Sequence, residues 1–380
     1  MSISGTPQAV LTELLQKTID VGGSDLHIRV DIPPQIRLHG QMMPIEGMAS
    51  LSAEDTKSLA YSFLSERQKT AFEEKHELDF SIGLDGISRF RVNIFSQKET
   101  VGAVFRAIPY EIKTFEELGV PSVVSELCSK PRGLILVTGP TGSGKSTTLA
   151  TMIDLINRTR RQHIITIEDP IEFLHTHKSC VVSQRELGSD TYSFADALRA
   201  GLRQDPDIVL VGEMRDLETI ELALRVAETG HLTLATVHTN TAASTITRII
   251  DVFPASQQPQ IRTQLANVLE AVMCQTLLPK AMGDGRVMAM EILIPNSAVR
   301  NVIREDKIHQ IYSLMQTGAD KFGMQTLNQS LAGLYKKRLI TLEAALSVSS
   351  NADELKELCE RRDTRGGFAP NESFAYGRTV

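Results

Sequence analysis

The chain has 380 residues, of which 42% are apolar and 23% charged, with a formal net charge of −6. That length allows more than one domain with its own core, and the mildly acidic balance argues against nucleic acid as the main partner. No apolar run approaches the roughly 18 residues of a membrane span, and no basic-then-apolar leader opens the chain, so the reading is a cytoplasmic protein without a transmembrane segment. Four cysteines, Cys128, Cys180, Cys274 and Cys359, stand far apart and never form C-x-x-C, which predicts isolated thiols rather than a zinc site or disulfides.

Residues 9–20 carry apolar side chains at helical spacing, and Gly22 and Gly23 end that element. Residues 24–30 alternate apolar and polar in strand fashion; Pro33 and Pro34 interrupt, and 35–39 resume the alternation. Residues 52–74 predict one or two amphipathic helices, and 77–82, 88–95 and 102–106 predict three more strands. Residues 1–108 therefore read as an α+β domain with an antiparallel sheet. Residues 109–132 form a connection, with prolines at 109, 121 and 131 and a short helical segment around 121–128. Apolar runs at 134–138, 163–167, 208–211, 232–237 and 287–294 are separated by helices, as buried parallel strands are. Residues 133–297 are expected to form a twisted α/β sheet, and 298–360 a helical region. The polar, glycine-containing stretch 361–380 predicts disorder.

One stretch carries the chemistry. The run 134–138 leads straight into Gly139, Pro140, Thr141, Gly142, Ser143, Gly144, Lys145 and Ser146, and Thr147 continues as an amphipathic helix. This is G-x-x-x-x-G-K-[ST] between a strand and a helix, the setting in which the pattern marks a nucleotide triphosphate site. Backbone N–H groups converge on phosphate oxygens, Lys145 reaches the β- and γ-phosphates, and the Ser146 hydroxyl ligates Mg²⁺. ATP with Mg²⁺ also needs carboxylates at neighbouring strand ends, to hold the metal and polarise water. Glu168 and Glu172 follow the run 163–167, and Glu213 follows 208–211. Glu168 and Glu213 are candidate metal ligands beside Ser146. Gly212-Glu213 departs from the usual terminal aspartate, so Glu213 can act through a coordinated water. His231 and His238 stand at the two ends of the run 232–237. His238 is placed for sensing the γ-phosphate or for a structural role, and His231 for structure.

The combination of residues 139–146, Glu168-Asp-Pro-Ile-Glu172, Gly212-Glu213 and the His231/His238 strand resembles the secretion and pilus motor ATPases. Residues 22–27, 298–305 and 323–327 resemble the pilus-retraction branch of that family. The resemblance covers roughly residues 5–358. It implies a RecA-like ATPase core preceded by a PAS-like domain, and a homohexamer that hydrolyses ATP with Mg²⁺. It further implies type IV pilus retraction and twitching motility, by work against an inner-membrane platform protein. By the same resemblance Glu172 is the catalytic glutamate and Glu213 the strand-end glutamate, while Arg91 and Arg106 reach nucleotide, with Arg89 a neighbouring candidate. Arg300 and Arg304, one turn apart, would face acidic partners or solvent and couple hydrolysis to movement, with Ala298, Val299, Val302 and Ile303 forming an apolar face. The alternatives are a pilus-assembly or type II secretion ATPase, which would carry a C-x-x-C module and a longer N-terminal region, and a RecA-like nucleic-acid motor. The latter needs a basic, aromatic-lined channel that Lys336-Lys-Arg338 and Arg158/Arg160/Arg161 are too short and scattered to supply.

Overall fold

The computed structural model describes residues 5–361 apart from 39, 85, 109–111 and 284. The tail read as disordered lies outside the described residues from 362 onward, as does residue 39 at the end of the second predicted strand. Among the described residues, no helix is long and apolar enough to cross a membrane.

The N-terminal part runs α1 (Pro7–Asp20), β1 (Asp25–Ile28), β2 (Gln35–Leu38), β3 (Gln41–Pro44), α2 (Ala53–Tyr61), α3 (Glu66–Lys75), β4 (Glu77–Leu84), β5 (Ser88–Gln97) and β6 (Thr100–Ile108). Its strands form one antiparallel sheet in the order β3-β2-β1-β6-β5-β4. Strand alternation separates two faces. Phe80, Ile82, Phe90, Val92, Ile94, Ala103 and Phe105 point inward, into a core shared with Leu11, Leu15 and Leu59 of the helices. Ser81, Arg89, Arg91 and Arg106 lie at the intervening positions, on the other face. The predicted 52–74 helix is two helices, each opened by a capping box, at Ser52/Asp55 and Ser65/Gln68. The edge strand β3, all of it exposed, is not among the predicted strands, because a four-residue exposed edge carries no burial alternation.

The connection holds α4 (Phe115–Leu118) and α5 (Val123–Leu127). The second part then follows: β7 (Gly133–Thr138), α6 (Lys145–Thr159), β8 (His163–Glu168), β9 (Val181–Glu186), α7 (Phe194–Gly201), β10 (Ile208–Val211), α8 (Leu217–Glu228), β11 (Leu232–Val237), α9 (Ala242–Asp251), α10 (Gln258–Val268), β12 (Leu269–Pro279) and β13 (Arg286–Leu293). The sheet order is β13-β12-β7-β11-β10-β8-β9. Every neighbouring pair is parallel except β12 with β13. The predicted 287–294 strand is therefore an antiparallel edge, a correction to the all-parallel expectation. Two strands, β9 and β12, are absent from the sequence reading. β9 has only two apolar residues, and β12 carries Glu270, Gln275 and Thr276 within its apolar run. In the centre, β7, β10 and β11 are buried at every position, and helices cover both faces. α5 packs on α6, placing Val124, Leu127 and Cys128 in the same core.

The C-terminal helices are α11 (Ser297–Arg304), α12 (Ile311–Phe322), α13 (Leu327–Lys336), α14 (Leu342–Val348) and α15 (Ala352–Glu360). Leu331, Ala345 and Leu355 from the last three pack against Leu278 and Ala289 of β12 and β13. In α11, Val299, Val302 and Ile303 are buried as expected, whereas Ala298 is exposed in the first turn. Cys128, Cys180 and Cys274 are buried and Cys359 is half-buried, all as free thiols.

Candidate active site

β7 delivers the chain to a loop that only glycine can open. Gly139 has φ +139°, and a Cβ there would stand 2.3 Å from the Gln275 backbone oxygen. Behind the loop, the Gln275 amide donates to the Ser143 carbonyl at 2.9 Å, so the unpredicted strand β12 braces it. Gly144 caps α6 without any side-chain bond, which leaves the first-turn N–H groups of the helix for a ligand. Lys145 is buried and its ammonium donates to the carbonyls of Gly139 at 2.9 Å and Pro140 at 3.1 Å. Burial lowers its pKa, against the opposing charges of Glu213 and Glu172. Thr141, Gly142, Gly144, Lys145, Ser146 and Thr147 face a cleft of about 600 Å³. Gly139, Pro140 and Ser143 do not line it, Gly139 and Ser143 being buried and Pro140 exposed.

The same cleft is lined by Glu168, Asp169, Glu172, Glu213 and His238. Gly212 lies so close to β8 that a Cβ would be 3.0 Å from the Ile167 oxygen, and its own N–H donates to that oxygen at 2.7 Å. Thr236 of β11 holds the Gly212 carbonyl, so the turn carrying Glu213 is gripped by both neighbouring strands. Glu213, 19% exposed, meets Arg215 Nε at 2.7 Å and His238 Nε2 at 3.2 Å through one oxygen. Burial works to raise its pKa, but the Arg215 bond and the charges of His238 and Arg215 hold it below the usual carboxylate range. Glu168 is the opposite case. Its carboxyl accepts from Thr166 at 2.6 Å and Gln184 at 3.3 Å, and burial pushes its pKa up to about 7. The two strand-end glutamates thus differ: Glu213 is held ionised, while Glu168 is tied to its own sheet. Glu172 is exposed on the cleft.

Arg91 and Arg106 enter this cleft from the N-terminal sheet. They are direct cross-strand partners of β5 and β6, so both side chains leave the sheet on one face. Like charges opposite each other weaken a sheet unless anions balance them. Asp25 of β1 takes Arg106 Nε at 2.8 Å, and Asp79 of β4 approaches Arg91 at 4.0 Å. Arg89, one pleat along, is outside the cleft and bonds Glu186 of β9 at 2.7 Å. His231 is also outside: its Nδ1 lies 3.0 Å from the Val226 carbonyl, and its own carbonyl accepts the Gly133 N–H.

A family model described as "Type II/IV secretion system protein" matches residues 8–341. The chain belongs to the type II/IV secretion system protein family. It is 52% identical, over 88% of its length and 96% of the other protein, to the "Type IV pilus retractation ATPase PilT" of Pseudomonas aeruginosa strain PAO1. It is 50% identical to the "Twitching motility protein" of Neisseria gonorrhoeae, over 85% of this chain and 86% of that one. Among solved structures it superposes with TM-score 0.86 and 54% identity on the pilus retraction motor PilT with bound ADP, covering 91% of this chain and 98% of that one.

In this family member, several residues in and around the cleft escape sequence reasoning. Arg215 and Arg286 line the cleft, Arg215 two residues beyond Glu213. Gln275 had no signal, because nothing marked β12 as a neighbour of the loop. Asp25 lies within the 22–27 stretch, but its pairing with Arg106 depends on β1 and β6 being adjacent.

Proposed function

We propose that this family member is an ATP-hydrolysing motor that drives type IV pilus retraction and twitching motility. One observation carries the reading. A P-loop with an open helix terminus shares its cleft with a cross-strand pair of arginines from a separate sheet. Such a pair stabilises the charge spread over a transferring phosphoryl group, and ties that stabilisation to where the second sheet sits. We take residues 1–108 as a PAS-like domain, 109–132 as the connection, 133–297 as a RecA-like core and 298–360 as the helical end. In the same reading the chain works as a homohexamer in the cytoplasm, at the inner face of the membrane, against a platform protein.

Phosphates seat on the N–H groups of the P-loop and first turn of α6, and the Lys145 ammonium exchanges the Gly139 and Pro140 carbonyls for β/γ oxygens. Glu172, open on the cleft, orients the attacking water and takes its proton. Ser146 and Glu213 fit Mg²⁺, since the hydroxyl and the ionised carboxylate both face the cleft. Glu168 fits less well, its carboxyl being engaged by Thr166 and Gln184. When bound, the cation neutralises phosphate charge. In this reading His238, 3.2 Å from the Glu213 carboxylate, registers the γ-phosphate's departure.

The test is ATP turnover by the purified chain, with retraction scored in cells lacking their own motor. Lys145→Ala is expected to abolish hydrolysis, weaken ATP binding and fail to restore retraction. Unchanged turnover in that variant, or strong stimulation by single-stranded DNA, overturns the reading.

A further inference from the structure

Glu186 ends β9, in register with Glu168 across the β8–β9 pair. Its side chain is only 5% exposed, and donors reach it from two parts of the molecule. From the N-terminal sheet, the Ser81 hydroxyl lies 2.8 and 2.7 Å from its two oxygens, and Arg89 donates to Oε2 at 2.7 Å. From its own part, the Ile171 N–H donates to the same Oε2 at 3.1 Å, and Ser189 to Oε1 at 3.4 Å. Nearby, Arg67 of α3 lies over the ring of Tyr192, 5.6 Å from its centroid, so the end of β9 and the segment following it each meet the N-terminal part.

We propose that Glu186 is a positioning residue that links the seating of the N-terminal sheet to the placement of Glu172; this rests on the reading of Glu172 as the water-orienting glutamate. Arg89 and Arg91 share one face of β5, so a shift of the sheet that moves Arg91 in the cleft also makes or breaks the Arg89 contact. A carboxylate this enclosed is strongly disfavoured without its cation. Arg89 and the Ile171 N–H converge on one oxygen, and Ile171 immediately precedes Glu172. Loss of Arg89 therefore changes the acceptor that fixes the Pro170–Ile171 peptide, one residue before Glu172. Seating of the sheet brings the arginines to the nucleotide and steadies Glu172 in the same movement.

The experiment uses the full chain with Arg89→Ala, Arg89→Lys, Glu186→Gln and the Arg89→Ala/Glu186→Gln double variant. Arg89→Ala and Glu186→Gln are each expected to lower kcat about 10- to 100-fold, the scale of a misplaced catalytic group, with KM for ATP held within about threefold. The double variant is expected to be no slower than the slower single variant, because both act through one contact. Arg89→Lys should recover part of the lost kcat. Amide exchange at Ile171 and Glu172 should accelerate in Arg89→Ala while exchange in β7 and β11 stays at the wild-type rate. Wild-type kcat in Arg89→Ala, losses that multiply in the double variant, or faster exchange throughout the chain overturns the proposal. Should Arg89→Ala not fold, Ser81→Ala removes only a neutral donor and is read by the same exchange measurement. That readout needs no hydrolysis, so a wild-type chain without ATPase activity sinks the motor reading and leaves this one decided separately.

Discussion

Two glutamates at the ends of adjacent strands show how a few ångströms divide roles. Glu213 faces Arg215 and His238, which hold its pKa low, whereas desolvation at the end of β8 raises that of Glu168 to about 7. A carboxyl whose folded pKa lies above its unfolded value favours the folded state fully below about pH 4.5, and that contribution is lost as pH rises through about 7. Glu168→Gln, which keeps the acceptor oxygen without the charge, should therefore match the wild type in denaturant melts near pH 4.5 and exceed it at pH 8. The expected gain is on the order of 3 kcal/mol at most. Equal stability at both pH values would show that Glu168 escapes its burial on ionising. For the reaction itself, Glu172→Ala and Glu213→Ala should each bind nucleotide near wild-type affinity but lose about 10²-fold or more in turnover, the scale of a lost general base or metal partner. Normal hydrolysis by either variant removes its proposed role.

At the scale of elements, α11 separates two arginines that look equivalent in sequence. Arg300 is half-buried and reaches the carbonyls of Ala266 and Asn267 at the end of α10, and Glu270 at 3.1 Å. Its charge sits where the helix dipole is negative, so it fastens α10 to α11. Arg304 is exposed and makes a single bond, to the Asn267 side chain at 2.8 Å. Arg300→Ala should destabilise the fold by about 1–3 kcal/mol, the range for a lost hydrogen bond to charge, while Arg304→Ala should stay within about 0.5 kcal/mol. Chemical denaturation of the two variants checks this, and equal losses would contradict it. A test of coupling between hydrolysis and movement is therefore cleaner on Arg304 than on the pair, because the Arg300 change also loosens a helix junction.

For the whole molecule, the question is whether the arginines serve their own cleft or a neighbour's. Within one chain Arg91 and Arg106 already line the cleft with Lys145. In the proposed homohexamer the same face can also meet the next subunit. Arg91→Ala and Arg106→Ala are each expected to fold normally and lose turnover. Mixing Lys145→Ala subunits, which keep their arginines, with Arg106→Ala subunits distinguishes the cases. Recovered activity in mixed rings means the arginines act across the interface, and no recovery at any ratio means they act within their own chain or not on nucleotide at all.

What the sequence determined by itself was local. The G-x-x-x-x-G-K-S spacing of residues 139–146 after an apolar run reads as a tight strand-to-helix loop, and the structure has Gly139 at φ +139° there. The fully apolar runs of β7, β10 and β11 had to be central strands, and alternation along β5 and β6 put Arg91 and Arg106 on one face. Tertiary structure decided what depends on register between distant segments. β12 and β9 became strands because neighbours offered them edges to pair with, although their own patterns are mixed. That pairing brought Gln275 behind the P-loop and Glu186 beneath Arg89. It also sent Arg89 and Arg91, two residues apart on one strand, to different partners. A carboxylate enclosed between two sheets captured one guanidinium, while the cleft kept the other.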